Sequence, residues 1–337
     1  MTPRRIVPVA LALLAALMLT ACGERKEPTG STAAPKQVSF LLDYLPNVDH
    51  AGLYAAQGEG LFERAGLDVD LQTPSDPASV LKLLAAGRAD LAISYEPDLL
   101  LAREKGVEVM AVGALANRPL TSLMSVGKDA ITDPKELRGT RVGTAGIPYQ
   151  TAYLDTILDE AGLQRDAVKE RNVGFSLTPA LLTGKVDAVL GAFWNYEGTE
   201  LKLKGKRPRI IRMEDAGVPT YDELVLVANA DALDRDGDKL RAFIGAVSRG
   251  VRELRADPEK GIEGLLKANP DLDPELQRAA VKVTLPLMVP PEGKPFGWQE
   301  PKEWDAFGAW MQEKNLLEQP PDVPASYDNS LLPGSGL

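Results

Sequence analysis

The chain has 337 residues, 44% of them hydrophobic, which is enough for two domains with cores of their own. Its formal net charge of −10 leaves no global basic footprint for nucleic acid. One cysteine and one histidine exclude an internal disulfide framework, a cysteine-rich metal site and every multi-histidine motif.

In chain order, Arg4 and Arg5 precede an apolar run over residues 6–18 that leads into Leu19-Thr20-Ala21-Cys22. A charged start, a short apolar core and small residues define a secretory signal, 1–21. The run is short of the roughly 20 residues a membrane span needs. The segment resembles a bacterial lipobox, which implies cleavage before Cys22 and acylation there; several acyl chains would make a stable anchor. Residues 22–36 are polar, small and proline-containing, as in a flexible tether.

From Gln37 short apolar strands alternate with helical stretches. Strands are predicted at 38–42, 67–71, 91–95, 107–115 and 123–126, with helices at 51–65, 78–86 and 97–105. After Gly127 the rhythm restarts, with strands at 141–144, 173–175, 186–190, 210–213 and 224–228 and helices at 151–161, 179–183 and 196–204. This is the pattern of a mostly parallel sheet flanked by helices, occurring twice. Leu240, Phe243, Ile244, Val247, Val251 and Leu254 then mark one buried helix face. A proline-rich loop over 286–301 and a last amphipathic helix through Trp304, Phe307 and Trp310 follow. The expected division is a discontinuous first lobe, 37–128 and 229–317, a second lobe, 129–228, and a loose tail, 318–337.

One internal echo ties the halves together. Leu83–Asp90 holds a helix end, Gly87, Arg88 and Asp90 before a strand that ends at Tyr95-Glu96. Leu181–Asp187 holds a helix end, Gly184, Lys185 and Asp187 before a strand that runs into Trp194-Asn195-Tyr196-Glu197. Each strand delivers an aromatic and a carboxylate at its C-terminal end, where open α/β sheets bind ligands.

Catalytic motifs are missing: there is no Gly-x-Ser-x-Gly elbow, Walker loop, His-Glu-x-x-His or Cys-x-x-Cys. Gly143-Thr144-Ala145-Gly146 lacks the Lys-Ser/Thr of a phosphate loop and reads as a plain strand–helix turn. His50 has no paired nucleophile, so it reads as a binding or structural residue. The strand-end loops do offer binding chemistry: Asp43, Tyr44 and Asn47, then Tyr95 and Glu96, then Trp194, Asn195, Tyr196 and Glu197. Aromatic faces stack flat rings, while carboxylates and amides satisfy ring N–H and amino groups. With no lysine or arginine in these loops, a small amine-bearing heterocycle suits them better than an anion.

The run Leu41-Leu42-Asp43-Tyr44-Leu45-Pro46-Asn47 with His50 and Gly52-Leu53-Tyr54-Ala55-Ala56 resembles the thiamine-precursor solute-binding proteins. So do Gly60-Leu61-Phe62, Ser94-Tyr95-Glu96-Pro97, the run from Gly191 to Glu197, and Glu223-Leu224-Val225. The resemblance implies a two-lobed type II periplasmic binding protein fold with mixed, mostly parallel sheets and two crossover segments. It also implies a lipid-anchored binding protein of an ABC importer, exported to the cell envelope, for a formylaminopyrimidine or hydroxymethylpyrimidine type ligand. Its partners would be the heterocycle, an ABC permease and, through Cys22, the membrane; no cofactor, metal or nucleic acid is expected, and the protein should act as a monomer. Tyr149, Tyr221 and Glu223 would join the binding set from the second lobe and hinge. Relatives bind riboflavin, sulfonates or taurine, and a related fungal pyrimidine synthase is an enzyme. At the positions matching that enzyme's cofactor lysine and donor histidine this chain has Ser94 and Asp98, and no cysteine lies near residues 218–226. An enzyme is therefore not expected.

Overall fold

The computed structural model describes residues 34–334. The expected signal segment, Cys22 and most of the expected tether lie outside the described residues. Among the described residues ten strands build two sheets: β1 Lys36–Leu41, β2 Leu67–Gln72, β3 Leu91–Ser94, β4 Val109–Ala116, β5 Thr121–Ser125, β6 Arg141–Thr144, β7 Lys169–Asn172, β8 Ala188–Phe193, β9 Arg209–Arg212 and β10 Leu224–Asn229. The helices that matter for the argument are α1 Ala51–Gly58, α2 Val80–Ala85, α3 Glu96–Glu104, α4 Pro148–Glu160, α5 Leu177–Leu182, α6 Glu197–Leu203, α7 Ala232–Ala256, α8 Glu263–Ala268, α9 Pro274–Thr284 and α10 Pro301–Glu313.

The sheet orders are β2-β1-β3-β10-β4 and β7-β6-β8-β5-β9. In the first, β1 pairs in parallel with β2 and β3, while β10 runs antiparallel to β3 and β4. The second repeats the arrangement, with β6 parallel to β7 and β8 and β5 antiparallel to β8 and β9. Four strands of each sheet thus share one direction and the fourth position is reversed. The fold is the expected two-lobed α/β architecture.

The lobe boundaries expected from sequence need correction. Strand β5 belongs to the second sheet and β10 to the first, so the chain crosses before Thr121 and again before Leu224, not after residues 128 and 228. Alternation of strands and helices does not say which sheet a strand joins, and here each reversed strand joins the sheet of the other half. The predicted strand at 173–175 is also displaced, since the strand is Lys169–Asn172, a largely exposed edge strand with no apolar pattern to announce it. The predicted helix over 51–65 breaks at Gly60, whose φ of 63° is left-handed. The expected loose tail is instead attached. Val323 and Leu331 are buried, Asp328 N donates to Ala111 O (2.8 Å) on β4, and the Tyr327 ring lies 4.9 Å from that of Trp304.

The internal echo is a structural repeat. Strands β3 and β8 hold the same third position in their sheets, each after a helix, α2 or α5, ended by a left-handed glycine, Gly87 at φ 66° or Gly184 at φ 69°. The aspartate that follows does the same work in both halves. Asp90 N donates to Ser39 O and the Asp90 carboxylate accepts from Ser39 N, both at 2.8 Å; Asp187 makes the same exchange with Arg141 at 2.8 Å. One side chain thus pins the start of β3 to β1, and another pins β8 to β6.

The first lobe's core is organised by α7, whose apolar stripe is buried as the spacing predicts. Phe243 stacks between Phe40 (5.1 Å) and Phe62 (5.2 Å). Helix α1 crosses α7 at glycines: a Cβ added at Gly250 would sit 2.2 Å from the Gly52 carbonyl oxygen.

Candidate functional site

Strands β1, β3, β6 and β8 all present their C-terminal ends to a narrow cleft between the sheets, with about 350 Å³ of space free of atoms when the part open to solvent is included. The first lobe contributes Asp43, Tyr44, Asn47 and Tyr95. From the second come Ala145, Ile147 and Gln150 after β6, Leu177 on α5, and Gly191, Phe193, Tyr196 and Glu197 along β8 and into α6. Among the described residues no lysine or arginine lines the cleft, and the two acids stand on opposite lobes.

The first-lobe wall is a fixed array. Asn47 caps a short helical turn by accepting from Asp49 N (2.7 Å), and its own N–H donates to His50 Nδ1 (3.2 Å). Because Nδ1 accepts, the ring proton sits on Nε2, which faces Asp43 Oδ1 at 2.8 Å. The other carboxylate oxygen accepts from the Tyr95 hydroxyl (2.7 Å). Asp43 is therefore aimed into the cleft by two buried neighbours. Tyr44 donates its hydroxyl to Gly174 O (3.3 Å) and packs edge-on against Phe175, reaching across to the second lobe. Burial and then the Glu197 and Asp43 charges raise its ionisation well beyond the ordinary range, so it remains a neutral phenol.

On the second lobe Glu197 accepts from Phe193 N (2.7 Å) at the opening of α6. Burial pushes its carboxyl up to about 8, the backbone N–H bonds opposing this and the Asp49 and Glu200 charges adding to it. Near neutrality Glu197 can therefore offer a proton or, facing a cation, a carboxylate. Gln150 turns its side chain back to accept from Ala145 N (2.7 Å).

Six expected site residues fall elsewhere among the described residues, and the reasons are geometric. His50 spends Nδ1 on the Asn47 N–H and Nε2 on Asp43, and does not line the cleft. Trp194 turns away from it. Its indole N–H donates to Pro119 O (3.0 Å) and Arg212 lies 4.0 Å over its ring. Glu96 is fully buried, accepting from Asp222 N (2.7 Å), while Asp222 accepts from the Trp304 indole (2.8 Å). Burial, then the neighbouring Asp222 charge, pushes Glu96 well up. Glu223 accepts from Leu120 N, Thr121 N, the Thr121 hydroxyl and the Tyr221 hydroxyl, all at 2.7–2.8 Å. Glu223 and Tyr221 thus staple the two crossovers together. Tyr149 lies behind Tyr95, its hydroxyl 3.1 Å from that of Thr121.

Asn195 is a seventh case with a role of its own. Although it follows β8, its Nδ2 donates to Asp49 Oδ1 (2.7 Å) and to the Thr284 hydroxyl (2.8 Å), both on the first lobe. Beside it the Tyr196 hydroxyl accepts from Gln277 Nε2 on α9 (3.0 Å). These contacts clasp the lobes at the edge of the cleft. Sequence reasoning missed Gln150, Gly191 and Phe193; the positive φ of Gly191, 102°, is the nearest thing to a signal, and it is silent in a sequence.

Two α/β lobes joined by two crossovers around such a cleft define the periplasmic binding protein class of fold. The alkanesulfonate-binding protein SsuA from Xanthomonas axonopodis pv. citri bound to MOPS matches it with a TM-score of 0.69, covering 88% of this chain and 100% of that one at 19% identity. Residues 47–261 match the NMT1/THI5 like family model, and the chain belongs to that family. It is 35% identical over 312 residues to the formylaminopyrimidine-binding protein of Halalkalibacterium halodurans, covering 91% of this chain and 94% of that protein. It is 24% identical over 251 residues to the 4-amino-5-hydroxymethyl-2-methylpyrimidine phosphate synthase of Schizosaccharomyces pombe, covering 72% of each.

Proposed function

We propose that this chain is the solute-binding subunit of an ABC importer, exported and anchored through Cys22, which captures a thiamine pyrimidine precursor of the formylaminopyrimidine or hydroxymethylpyrimidine type. The observation that carries the reading is the lining of the cleft: Asp43 and Glu197 on facing lobes, four aromatic rings and, among the described residues, no cation. An aminopyrimidine presents a flat face to the rings and N–H groups to the two acids. A sulfonate would meet two carboxyls and nothing positive, so the fold shared with SsuA does not carry its ligand over. The relative named for formylaminopyrimidine binding supports the same choice. Binding is taken to bridge the lobes and shift them toward the closed arrangement. The synthase reading is set aside because the positions that the resemblance assigns to its lysine and histidine hold Ser94 and Asp98.

The test is thermal unfolding of the chain from Gln37 with formylaminopyrimidine, hydroxymethylpyrimidine, thiamine, riboflavin, taurine and an alkanesulfonate. A ligand at 100 times its dissociation constant adds about 2.7 kcal/mol, a shift of several degrees. A shift with the pyrimidines alone is the expected result. A shift only with riboflavin or a sulfonate would overturn the ligand class.

A further inference from the structure

Gln150 is 1% exposed yet lines the cleft, and its amide is held in one orientation. Its Oε1 accepts from Ala145 N at 2.7 Å. With the oxygen committed, the Nε2 end is fixed as well, and it lies flat against Gly191. A Cβ added at Gly191 would sit 2.1 Å from Nε2. The space for the amide exists because residue 191 is a glycine, in a backbone conformation (φ 102°) that other residues rarely adopt. The –NH₂ end of the amide has protons to give.

Of the other polar side chains that line the cleft, the Glu197 carboxyl and the Tyr196 hydroxyl can also give a proton, whereas the rest are acceptors or have spent their donors. Asp43 is an acceptor, and the hydroxyls of Tyr95 and Tyr44 are already spent on Asp43 and Gly174. Asn47 gives its Nδ2 to Leu45 O and its Oδ1 to Asp49 N. On the second-lobe wall Gln150 is the amide donor held in place from two sides. Helix α4 starts there too, but Pro148 at its first turn has no N–H to offer and the Ala145 N–H is taken by Gln150.

We infer that Gln150 is a specificity-determining residue: its Nε2 donates to a carbonyl oxygen of the ligand, the formyl oxygen in a formylaminopyrimidine. This rests on the proposed function and deepens it, because it separates the formylated ligand from the free amine. The acids read the amino groups that both compounds share, whereas the amide reads the oxygen that only one of them carries. A buried donor aimed at an absent acceptor discriminates strongly.

The experiment is calorimetric titration of formylaminopyrimidine and of its deformylated amine into the wild type, Gln150→Leu and Gln150→Glu. The glutamate variant keeps an oxygen for Ala145 N–H but loses the donor, so it keeps the loop in place. Both variants should weaken the formyl compound at least about tenfold, with the amine changing less than about threefold. Equal losses for both ligands in both variants would overturn the inference and make Gln150 a residue that only shapes the loop. An unchanged affinity for the formyl compound in Gln150→Glu would overturn it as well. A wild type that binds neither pyrimidine would remove the proposed function and this inference with it; one that binds both, with variants that do not discriminate, removes the inference alone.

Discussion

Replacing Asn195 with alanine should separate closure from stability. The side chain gives two hydrogen bonds from the second lobe to the first, to Asp49 Oδ1 at 2.7 Å and the Thr284 hydroxyl at 2.8 Å. Asn195 is fully buried and Asp49 nearly so, and burial already pushes the Asp49 carboxyl up to about 6 against the pull of His50 and then of Asn195. A bond to a charged acceptor is worth roughly 1.5–3 kcal/mol and one to a hydroxyl roughly 0.5–1.5 kcal/mol, so the closed arrangement should lose about 2–4 kcal/mol. If the clasp forms only as the lobes meet, the ligand-free open form does not bear this cost. Affinity should then fall by roughly 30- to 1000-fold at about 1.4 kcal/mol per factor of ten, while the ligand-free unfolding midpoint stays within a degree or two. Calorimetry with the best ligand and thermal unfolding without it measure the two quantities. An unaltered affinity would refute the reasoning. So would a loss of affinity matched by a large fall in the ligand-free midpoint, which would make Asn195 a permanent staple.

Three further outcomes follow from the same geometry. Burial pushes Asp222 and Glu223 up to about 7 from ordinary values of 3.8 and 4.5; the folded chain therefore holds protons that the unfolded chain releases, and stability falls as pH rises from about 4 through 7. The unfolding free energy of the ligand-free protein from urea titration should be higher at pH 5 than at pH 8, by at least about 2 kcal/mol at about 1.4 kcal/mol per tenfold change in acid constant. Glu223→Gln turns an amide –NH₂ toward the N–H groups of Leu120 or Thr121, because one oxygen cannot serve all four donors; a loss of about 2–4 kcal/mol in denaturant unfolding is expected. Gly250→Ala places a methyl 2.2 Å from Gly52 O and 2.8 Å from Ala56 N, forcing α1 off α7 at about 1–3 kcal/mol, a fall of several degrees in the unfolding midpoint.

How far the site could be read from sequence turned on the length of one strand. For the first lobe the expected residues Asp43, Tyr44, Asn47 and Tyr95 line the cleft after β1 and β3, because short apolar strands end where their polar residues begin. For the second lobe the predicted strand stopped at residue 190, whereas β8 runs to Phe193. Side chains alternate along a strand, so those three added residues decide which aromatic enters the cleft. Phe193 faces it and Trp194 is turned toward Pro119 and Arg212. The most distinctive residue of the run is thus the one pointing away. Gln150 gave no signal because a glutamine in the first turn of a helix is ordinary; its meaning comes from Gly191, distant in sequence and adjacent in space. The exchange of β5 and β10 between sheets was equally hidden, since a short apolar strand fits either sheet.

That exchange explains why several residues read as ligand contacts are hinge residues. Each reversed strand enters its sheet directly after a crossover, so the segment before Thr121 and the segment before Leu224 lie side by side. Backbone N–H groups at such a junction have left one sheet and not yet joined the next, and buried ones need partners. Glu223 supplies them for Leu120 and Thr121. Glu96 supplies one for Asp222, and Leu120 O accepts from Trp194 N at 3.0 Å. A buried carboxylate with several N–H donors and an indole with a backbone acceptor are what a double crossover requires, whatever the cleft holds. Away from this staple, Asn195 and Tyr196 against Asp49, Thr284 and Gln277 make a second set of contacts between the lobes, which is why Asn195 rather than Glu223 is the position to test for an effect on closure.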